Sequence, residues 1–521
     1  MKKYFFIFFG LFAFSVISQE VKGVVYIDEN ENAKLDKGEK GIPQVAITNG
    51  KDVVITDKNG NYVLPIDSDN IISVIKPAGY EFPVDENNLP QFYYIHKPNG
   101  SPEMKYPGVA PTGKLPEMVN FGLFPKEIKE EFSVLVFGDP QPYTREEVDF
   151  FAKAIVAELE GARGYEFGIS LGDLVGNDLN LFKPYIEAVK EIGVPWHNVL
   201  GNHDLNFDVE EDKLSDETFE DHFGPSNYAF NEGKVHFIVL DDILYPDPRD
   251  NKGYWGGFRK DQLEFIENDL RHVPKDHLIV LAFHIPLTEP KADNFRDADR
   301  EVLFELLKEY PNTLSLSGHT HIQRQEFMGK EYGWPGEEPH HHFNVGTTSG
   351  DWYSGKLDED GLPKSTMRDG TPKGYAKINF DGNSYTLDYK VAGKPDDYQM
   401  EIFAPKVVAH GRKTKAGIYV NFFIGSEKDE IMYRVDEGEW KPMTYLVDYD
   451  PSYVKDIFEW DLADELMPGR RSSNPIESTH LWRGNIPTRL APGEHLIEIK
   501  AKDMFGRTYE QSRRYKLVQP K

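Results

Sequence analysis

Five short segments of this 521-residue chain carry Asp, Asn, Gln and His side chains in an ordered series. Each segment follows an apolar run of the length of a β-strand. The segments are FGDPQ (Asp139, Gln141), LGDLVGND (Asp173, Asn177), LGNHD (Asn202, His203, Asp204), AFHIP (His284) and SGHTH (His319, His321). Hard oxygen donors together with imidazoles suit Mn, Zn, Fe or Mg. One such segment would be weak evidence, whereas the ordered series predicts a single divalent-metal site.

The elements that must position these side chains are the strands of an α/β fold. Residues 126–400 alternate apolar runs with helical patterns, as in FSVLVFGD followed by REEVDFFAKAIVAELE. The loops at the carboxyl ends of such strands converge, which is why sites are built there. The pattern therefore predicts an α/β block in which the five segments meet.

This motif series resembles that of the calcineurin-like metallophosphoesterase superfamily over residues 132–346. The resemblance implies an αββα sandwich of two packed sheets, and two divalent metals bridged by an aspartate and by a hydroxide that attacks phosphorus. The first metal would be held by Asp139, Gln141, Asp173 and His321. The second would be held by Asp173, Asn202, His284 and His319, with Asp173 as the bridge. His203 would then lie beside the phosphate and protonate or stabilise the leaving oxygen.

Two departures from the family pattern narrow the chemistry. Gln141 stands where the family usually has His, and its neutral carbonyl favours Mn or Mg, with Fe or Zn as alternatives. Gly176 and Asn177 stand where protein Ser/Thr phosphatases carry Asp and Arg in GDxVDRG, which disfavours that activity. Asn177 could instead donate to a phosphate oxygen, while Asp178 or Asp204 orients His203.

A long irregular segment rich in Gly, Asp and aromatic residues follows the last ligand. Such a segment is more often a binding loop than filler. The residues predicted to contact the non-phosphate part of the substrate are Trp352, Tyr353, Asp369 and Tyr375. Structural turns built on Gly and Pro are the competing interpretation.

Charge and cysteine content exclude several classes of function. The net formal charge of −28 argues against nucleic-acid binding through a basic face. The absence of Cys excludes disulfides, thiolate nucleophiles and Cys-ligated metals. Hydrophobic content of 39% supports packed cores, and the length favours about three domains.

The first 18 residues have the layout of a secretory signal peptide. Lys2 and Lys3 precede an apolar run that extends to Ile17, and small Ser18 follows. The run is shorter than the roughly 20 residues of a membrane-spanning helix, so an uncleaved anchor is the less favoured alternative. We expect a secreted or periplasmic protein with no membrane span after cleavage.

Two β-sandwich domains are predicted at residues 19–125 and 401–521, on either side of the α/β domain at residues 126–400. The first resembles SdrD B-like and carboxypeptidase-regulatory-like domains, and the second has the alternation typical of an immunoglobulin- or fibronectin-like sandwich. The complete arrangement resembles the secreted three-domain phosphoesterases of Bacteroidetes-type bacteria.

A loop in the first domain has oxygen-bearing side chains at EF-hand spacing. The predicted ligands of a structural calcium ion are Asp28, Asn30, Asn32, Asp36 and Glu39. Ala33 stands where that loop prefers Gly, so an acidic hairpin loop is the alternative.

Taken together, these patterns predict a dimetal phosphoesterase that hydrolyses a phosphomonoester or phosphodiester of a small substrate. A nucleotide-type diphosphatase remains open. So does a surface or glycan-binding protein whose phosphoesterase core is vestigial. The sequence predicts no particular protein partner.

Overall fold

The structure is a computed structural model that describes residues 19–520. The predicted signal peptide, residues 1–18, lies outside the described residues. Between residues 19 and 520, no helix has both the length and the apolar content that crossing a bilayer requires.

Within residues 19–125, short strands form two four-stranded sheets. The strands are β1 (Gln19–Ile27), β2 (Ala46–Thr48), β3 (Val53–Ile55), β4 (Asn61–Ile66), β5 (Asn70–Ile75), β6 (Tyr80–Glu81), β7 (Tyr93–His96) and β8 (Phe121–Pro125). The sheet orders are β4-β1-β8-β6 and β3-β2-β5-β7. In β1, Val21 and Val25 are buried whereas Glu20 and Lys22 are exposed, which is the alternation of a strand with one face on a core.

Residues 126–399 alternate strands with helices, in agreement with the sequence pattern. The strands are β9 (Glu131–Phe137), β10 (Phe167–Ser170), β11 (Trp196–Asn198), β12 (Tyr228–Glu232), β13 (Val235–Val239), β14 (Ile243–Leu244), β15 (Trp255–Gly256), β16 (Leu278–Ala282), β17 (Asn312–Ser317), β18 (Arg324–Met328), β19 (His340–Asn344), β20 (Gly355–Lys356), β21 (Gly374–Asp381) and β22 (Ser384–Val391). The α-helices are α1 (Arg145–Ala154), α2 (Phe182–Lys190), α3 (Glu217–Phe223), α4 (Lys260–Leu270) and α5 (Asp297–Leu307). Short 3₁₀ turns lie at Val156–Glu158, Leu179–Leu181, Asp212–Leu214 and Lys330–Tyr332.

The longer strands of this central region form two sheets that pack face to face. The five-stranded sheet has the order β11-β10-β9-β21-β22, and the six-stranded sheet has the order β12-β13-β16-β17-β19-β18. Alternate residues of β9 go to different cores. Val134 and Val136 join the cluster that also contains Val280 of β16, whereas Phe137 joins the cluster with Phe151 of α1. Sheets with helices on their outer faces form the αββα sandwich, and the predicted fold class is confirmed.

The C-terminal region consists mainly of strands, as predicted. They are β23 (Met400–Phe403), β24 (Val407–Ala409), β25 (Gly417–Phe422), β26 (Glu430–Val435), β27 (Lys441–Pro442), β28 (Thr444–Tyr449), β29 (Gly469–Arg470), β30 (Glu477–Asn485), β31 (Gly493–Lys502) and β32 (Thr508–Val518). They build sheets of order β23-β25-β30-β28 and β24-β32-β31-β26-β27. β29 instead pairs with β20 of the central region.

One helix departs from the expected all-β C-terminal domain. It is α6 (Pro451–Asp461), which begins with Pro and is capped by the Asp450 carboxylate, an acceptor from the Tyr453 N–H at 2.8 Å. Tyr453 and Ile457 bury one face of the helix. The domain limits at residues 125 and 400 stay a prediction.

Candidate metal centre

The predicted ligands follow the carboxyl ends of parallel strands in both central sheets. Asp139 follows β9, Asp173 follows β10 and Asn202 follows β11 in the five-stranded sheet. His284 follows β16 and His319 follows β17 in the six-stranded sheet. Parallel strands end at the same edge, and this edge therefore collects the side chains of both sheets.

Asp173, His284 and His319 form a compact group whose ligand atoms all lie within 4.8 Å of one another. His284 Nε2 lies 3.3 Å from Asp173 Oδ1 and 3.2 Å from His319 Nδ1. Asn202 Oδ1 lies 3.0 Å from the same His284 nitrogen. The structure thus brings together the four side chains that the resemblance assigns to one metal.

The other predicted set, Asp139, Gln141, Asp173 and His321, lies beside this group. Gln141 Nε2 donates to Asp173 Oδ2 at 2.9 Å, and His321 Nε2 lies 3.7 Å from Asp139 Oδ1. Gln141 Oε1 and His321 Nε2 are both buried and have no hydrogen-bond partner among the described residues. Buried polar atoms are normally paired, so two unpaired ligand-type atoms in this set are consistent with metal binding. The donor set therefore suits a divalent metal.

Backbone carbonyls orient two of the imidazole rings. His284 Nδ1 donates to the Leu171 carbonyl at 2.8 Å, and His321 Nδ1 donates to the Gly350 carbonyl at 2.7 Å. In both rings Nδ1 therefore carries a proton, and Nε2 is the atom that faces the other ligands. Metal-binding histidines commonly have this type of support.

The loops that carry the ligands have an unusual backbone. Asp139, Gln141, Asp173, His319 and His321 all have positive φ, between 37° and 73°. Close contacts between loops accompany these conformations. A Cβ atom on Gly201 would lie 1.8 Å from the Asp173 nitrogen, so this position tolerates only glycine.

Burial controls the protonation of the site. It lowers the pKa of His319 to about 3 and that of His321 to about 4, which keeps both imidazoles in the neutral form that binds metals. Burial also raises the pKa of Asp139 to about 8. Burial acts against a charge on His284, but the adjacent Asp173 carboxylate outweighs it and raises the pKa to about 10.

His203 lies at the edge of the ligand group and is oriented by Asn177. Its Nδ1 lies 2.8 Å from Asn177 Oδ1, and its backbone N–H donates to Asp173 Oδ1 at 2.9 Å. Since an amide oxygen only accepts, Nδ1 carries the proton and Nε2 is left for the substrate. The side chain of Tyr143 packs edge-on against this ring, with centroids 5.8 Å apart.

The prediction that Asp178 or Asp204 orients His203 is wrong. Asp204 is fully buried, and its carboxylate accepts the backbone N–H groups of Leu174, Val175 and Gly201 at 2.9–3.1 Å. Asp178 caps a 3₁₀ turn. Asp204 thus ties two ligand loops together and is a structural residue, although the sequence indicated a catalytic one.

Two of the residues predicted to contact substrate lie at the mouth of the site. Asn177 is exposed beside His203. Trp352 is partly exposed, and its indole stacks on the His321 ring at 4.0 Å between centroids with an interplanar angle of 23°. Their predicted contact with substrate is untested and stays a prediction.

The other three residues predicted to contact substrate are buried, and their side chains contact other parts of the protein instead. They are Tyr353, Asp369 and Tyr375. The Tyr353 hydroxyl donates to the Pro140 carbonyl, so this ring supports the loop between Asp139 and Gln141. Asp369 is 1% exposed and lies 3.0 Å from His480 Nε2 of the C-terminal region. Tyr375 packs in β21 against Phe137. Each side chain is occupied within the protein, which the sequence pattern could not reveal.

Several residues that surround the site were not among those predicted from the sequence. The Asp242 carboxylate accepts the N–H groups of His284 and Ile285 at 3.0–3.1 Å, and burial raises its pKa to about 7. Its signal was an Asp pair directly after the apolar run of β13. Tyr143 and Arg470 line the mouth. The signal for Arg470 was a pair of arginines in an irregular segment rich in Gly and Ser.

The predicted calcium loop closes through its own hydrogen bonds. Asp28 accepts the Ala33 N–H at 2.7 Å, and Asp36 accepts the Asn30 and Asn32 amides at 2.9 and 2.8 Å. Glu39 accepts the Asp36 N–H at 2.7 Å. The predicted residues therefore share one loop, and calcium binding stays a prediction.

Three family models match the chain, and together they cover most of it. The model described as calcineurin-like phosphoesterase matches residues 132–323. The models of the N-terminal and C-terminal parts of calcineurin-like phosphoesterases match residues 29–106 and 342–509. The N-terminal match lies within the first β-rich region, and the C-terminal match spans the last part of the central region and most of the C-terminal region.

The individual proteins that the chain resembles have low sequence identity to it. A probable glycerophosphodiester phosphodiesterase GpdQ of Arcobacter nitrofigilis is 26% identical over 159 residues, which is 29% of this chain and about half (55%) of that protein. A purple acid phosphatase PPD1 from seeds of yellow lupin (Lupinus luteus) aligns over 68% of this chain and 69% of its own, with 13% identity and a TM-score of 0.36. GAP50, the anchor in the inner membrane complex of Plasmodium, aligns over 51% of this chain and 86% of its own, with 15% identity and a TM-score of 0.33.

Proposed function

Because the chain belongs to the calcineurin-like phosphoesterase family, we propose that it is a dimetal enzyme that hydrolyses phosphate ester bonds. The supporting observation is the convergence of seven ligand-type side chains at one sheet edge, with Gln141 Oε1 and His321 Nε2 buried and unpaired among the described residues. Two divalent ions bound there would lower the pKa of bound water and offset the negative charge of phosphate oxygens.

The ligand types suggest which metals fit. The neutral carbonyl of Gln141 and the oxygens of Asp139 and Asp173 favour Mn or Mg in the first set. The two imidazoles of the second set, His284 and His319, also suit Fe or Zn. We therefore propose Mn as the first metal to test.

His203 is the proposed proton donor. Its Nδ1 is held by Asn177, and the backbone N–H of His203 is held by Asp173. This leaves Nε2 free, and in the imidazolium form of the ring, which carries a proton on both nitrogens, Nε2 can deliver its proton to the leaving oxygen when the ester bond breaks. A positioned general acid of this kind accelerates reactions by about 10²–10⁴-fold.

We further propose that the substrate is a small phosphodiester or phosphomonoester. The name of the Arcobacter relative refers to a phosphodiesterase, which supports a diester. The exposed Asn177 would donate to a phosphate oxygen, and the aromatic Trp352 at the mouth would contact the part of the substrate beyond the scissile phosphate.

Export through a cleaved signal peptide is also proposed. Its support is the sequence pattern of Lys2, Lys3 and an apolar run that ends before Ser18. Mass spectrometry of the protein recovered outside the cytoplasm should find a mature N-terminus near Gln19. A chain that keeps Met1 would contradict cleavage.

The proposed activity is tested by metal analysis together with assays on 4-nitrophenyl phosphate and bis(4-nitrophenyl) phosphate. We expect about two equivalents of divalent metal, and turnover in Mn. Asp173→Asn should lose metal and activity together, whereas Asp360→Asn, in an exposed loop, should lose neither. A protein that binds no metal and is inactive in Mn, Mg, Zn and Fe would instead have a vestigial core.

A further inference from the structure

A cavity of about 390 Å³ lies beside the metal centre. Its lining includes Tyr143 and Trp352 from the central region and Arg470 from the C-terminal region. The Trp352 ring stacks on His321, and the Tyr143 ring packs against His203. The cavity therefore lies next to both a predicted metal ligand and the proposed proton donor, where the leaving portion of a substrate would lie.

Arg470 is an exposed cation in the lining of this cavity. Its neighbour Arg471 is bound at two points by the Asp461 carboxylate, at 2.6 and 2.9 Å. The lining also includes the buried Asp351 carboxylate, whose Oδ2 accepts the Ser473 N–H at 2.7 Å and the Ser354 hydroxyl at 2.6 Å, whereas its Oδ1 has no hydrogen-bond partner among the described residues. Arg470 is exposed and donates to the Trp352 carbonyl, and no carboxylate between residues 19 and 520 forms an ion pair with it.

The backbone beneath Arg470 is held firmly against the central region. Gly355 pairs with Arg470, and Lys356 with Gly469, in the β20–β29 ladder. A Cβ atom on Gly469 would lie 2.2 Å from the Gly355 carbonyl oxygen, and its φ is +103°, so only glycine fits this close approach. Ser354 Oγ and Ser472 Oγ are 2.9 Å apart in the same contact. The backbone of Arg470 thus has a fixed place on the cavity wall.

We infer that Arg470, Tyr143 and Trp352 form an anion subsite that binds an oxyanion on the leaving portion of the substrate. This inference rests on the proposed phosphoesterase activity, and it adds a substrate class. Preferred substrates are phosphate esters whose leaving portion carries a second negative group, either a carboxylate or another phosphate.

The chemistry of the three side chains fits this ligand. A guanidinium presents paired N–H donors that match the oxygens of carboxylate and phosphate. The aromatic faces of Tyr143 and Trp352 can cover the apolar part of the leaving group. The whole chain carries a charge of −28, so a local cation is needed to attract an anionic group to this wall.

The test compares three esters on one scaffold: phenyl phosphate, 4-carboxyphenyl phosphate and 1,4-phenylene bisphosphate. In the Mn-loaded protein, Arg470→Gln should lower kcat/KM for the two charged esters by at least about tenfold, mainly through KM, and leave phenyl phosphate nearly unchanged. Comparison of the two charged esters shows whether carboxylate or phosphate is preferred. Arg514→Gln, which removes the same charge from an exposed position of β32, should change neither.

Binding provides a readout that needs no turnover. Calorimetry with phenylphosphonate and 4-carboxyphenylphosphonate should show the same charge-dependent loss of affinity in Arg470→Gln. Equal effects on charged and uncharged ligands, or no effect, would overturn the subsite. Inactivity of the wild-type protein toward all three esters would count against the proposed function, and the calorimetric comparison would still decide the subsite.

Discussion

Five of the seven predicted ligands have positive φ, a backbone conformation that residues other than glycine seldom adopt. A residue held in the left-handed region costs about 1–3 kcal/mol, and such residues concentrate at functional sites. At Asp139, the conformation turns the carboxylate so that both of its oxygens accept the His319 N–H at 2.9 Å. The strained backbone therefore positions the ligand side chains, and contacts with neighbouring loops must stabilise it.

Asn177 provides a test of positioning without loss of a metal ligand. In Asn177→Ala, the His203 ring loses its Nδ1 partner, and we expect kcat to fall about tenfold with metal content unchanged. In His203→Gln, kcat should fall further, by about 10²–10⁴-fold. Both are measured as kcat at saturating substrate together with metal analysis. If Asn177→Ala lost metal, the role assigned to this side chain would be wrong.

At the scale of single residues, the sequence identified the ligand types but not the supporting contacts. Motif order was sufficient to select residues such as Asp173 and His284, because their types and positions after apolar runs are local properties. Asp204 accepts two backbone N–H groups, and Tyr353 donates to one backbone carbonyl, that lie 29 or more residues away, which no local pattern encodes. Buried polar side chains of this kind therefore look like site residues in a sequence.

At the scale of elements, the strands were predictable because their apolar runs are continuous. All five residues of β16 are buried, which is typical of a parallel strand covered on both faces. The two-residue ladder of β20 and β29 joins segments more than 100 residues apart and has no such signature. The helix α6 was missed because its two buried residues, Tyr453 and Ile457, make too short a periodic pattern.

The loops that follow β10 and β11 are so close that one methyl group added at Gly201 should reduce stability. In Gly201→Ala, the new Cβ would meet the Asp173 nitrogen at 1.8 Å, so the loops must separate. We expect a loss of about 1–3 kcal/mol in the free energy of unfolding and weaker metal binding. Urea denaturation and metal titration measure both.

Gly79→Ala is the matched control for this variant. Its added Cβ would lie 3.6 Å from the nearest side-chain atom, which is an ordinary contact. Its denaturation midpoint should therefore stay close to that of the wild type. Unchanged stability and metal binding in Gly201→Ala would show that the two loops can separate freely.

At the scale of the whole molecule, a buried hydrogen-bond network joins the central and C-terminal regions. His480 Nε2 lies 3.0 Å from the Asp369 carboxylate, and His480 Nδ1 lies 2.7 Å from Asn421 Oδ1. These side chains are 0–1% exposed. The network lies between the two regions that together form the mouth of the site.

Removing His480 should weaken the association of these regions. His480→Ala leaves the buried Asp369 carboxylate without this partner, and we expect a loss of about 2 kcal/mol of stability. Calorimetry should show the C-terminal region unfolding before the rest. His277→Ala, whose partner Asp276 is exposed, is the control and should unfold like the wild type. A single unshifted transition in His480→Ala would refute the coupling.

The position of β9 in its sheet has a consequence for how the chain folds. β9 lies between β10 and β21, and β21 begins at Gly374, more than 50 residues after the last predicted ligand, His321. A growing chain that has already released every ligand from the ribosome would still expose one open hydrogen-bonding edge of β9. Open strand edges recruit other chains. Truncated products that end between the last ligand and β21 should therefore aggregate before they can bind metal, and no shorter catalytic fragment should be obtained from this part of the molecule.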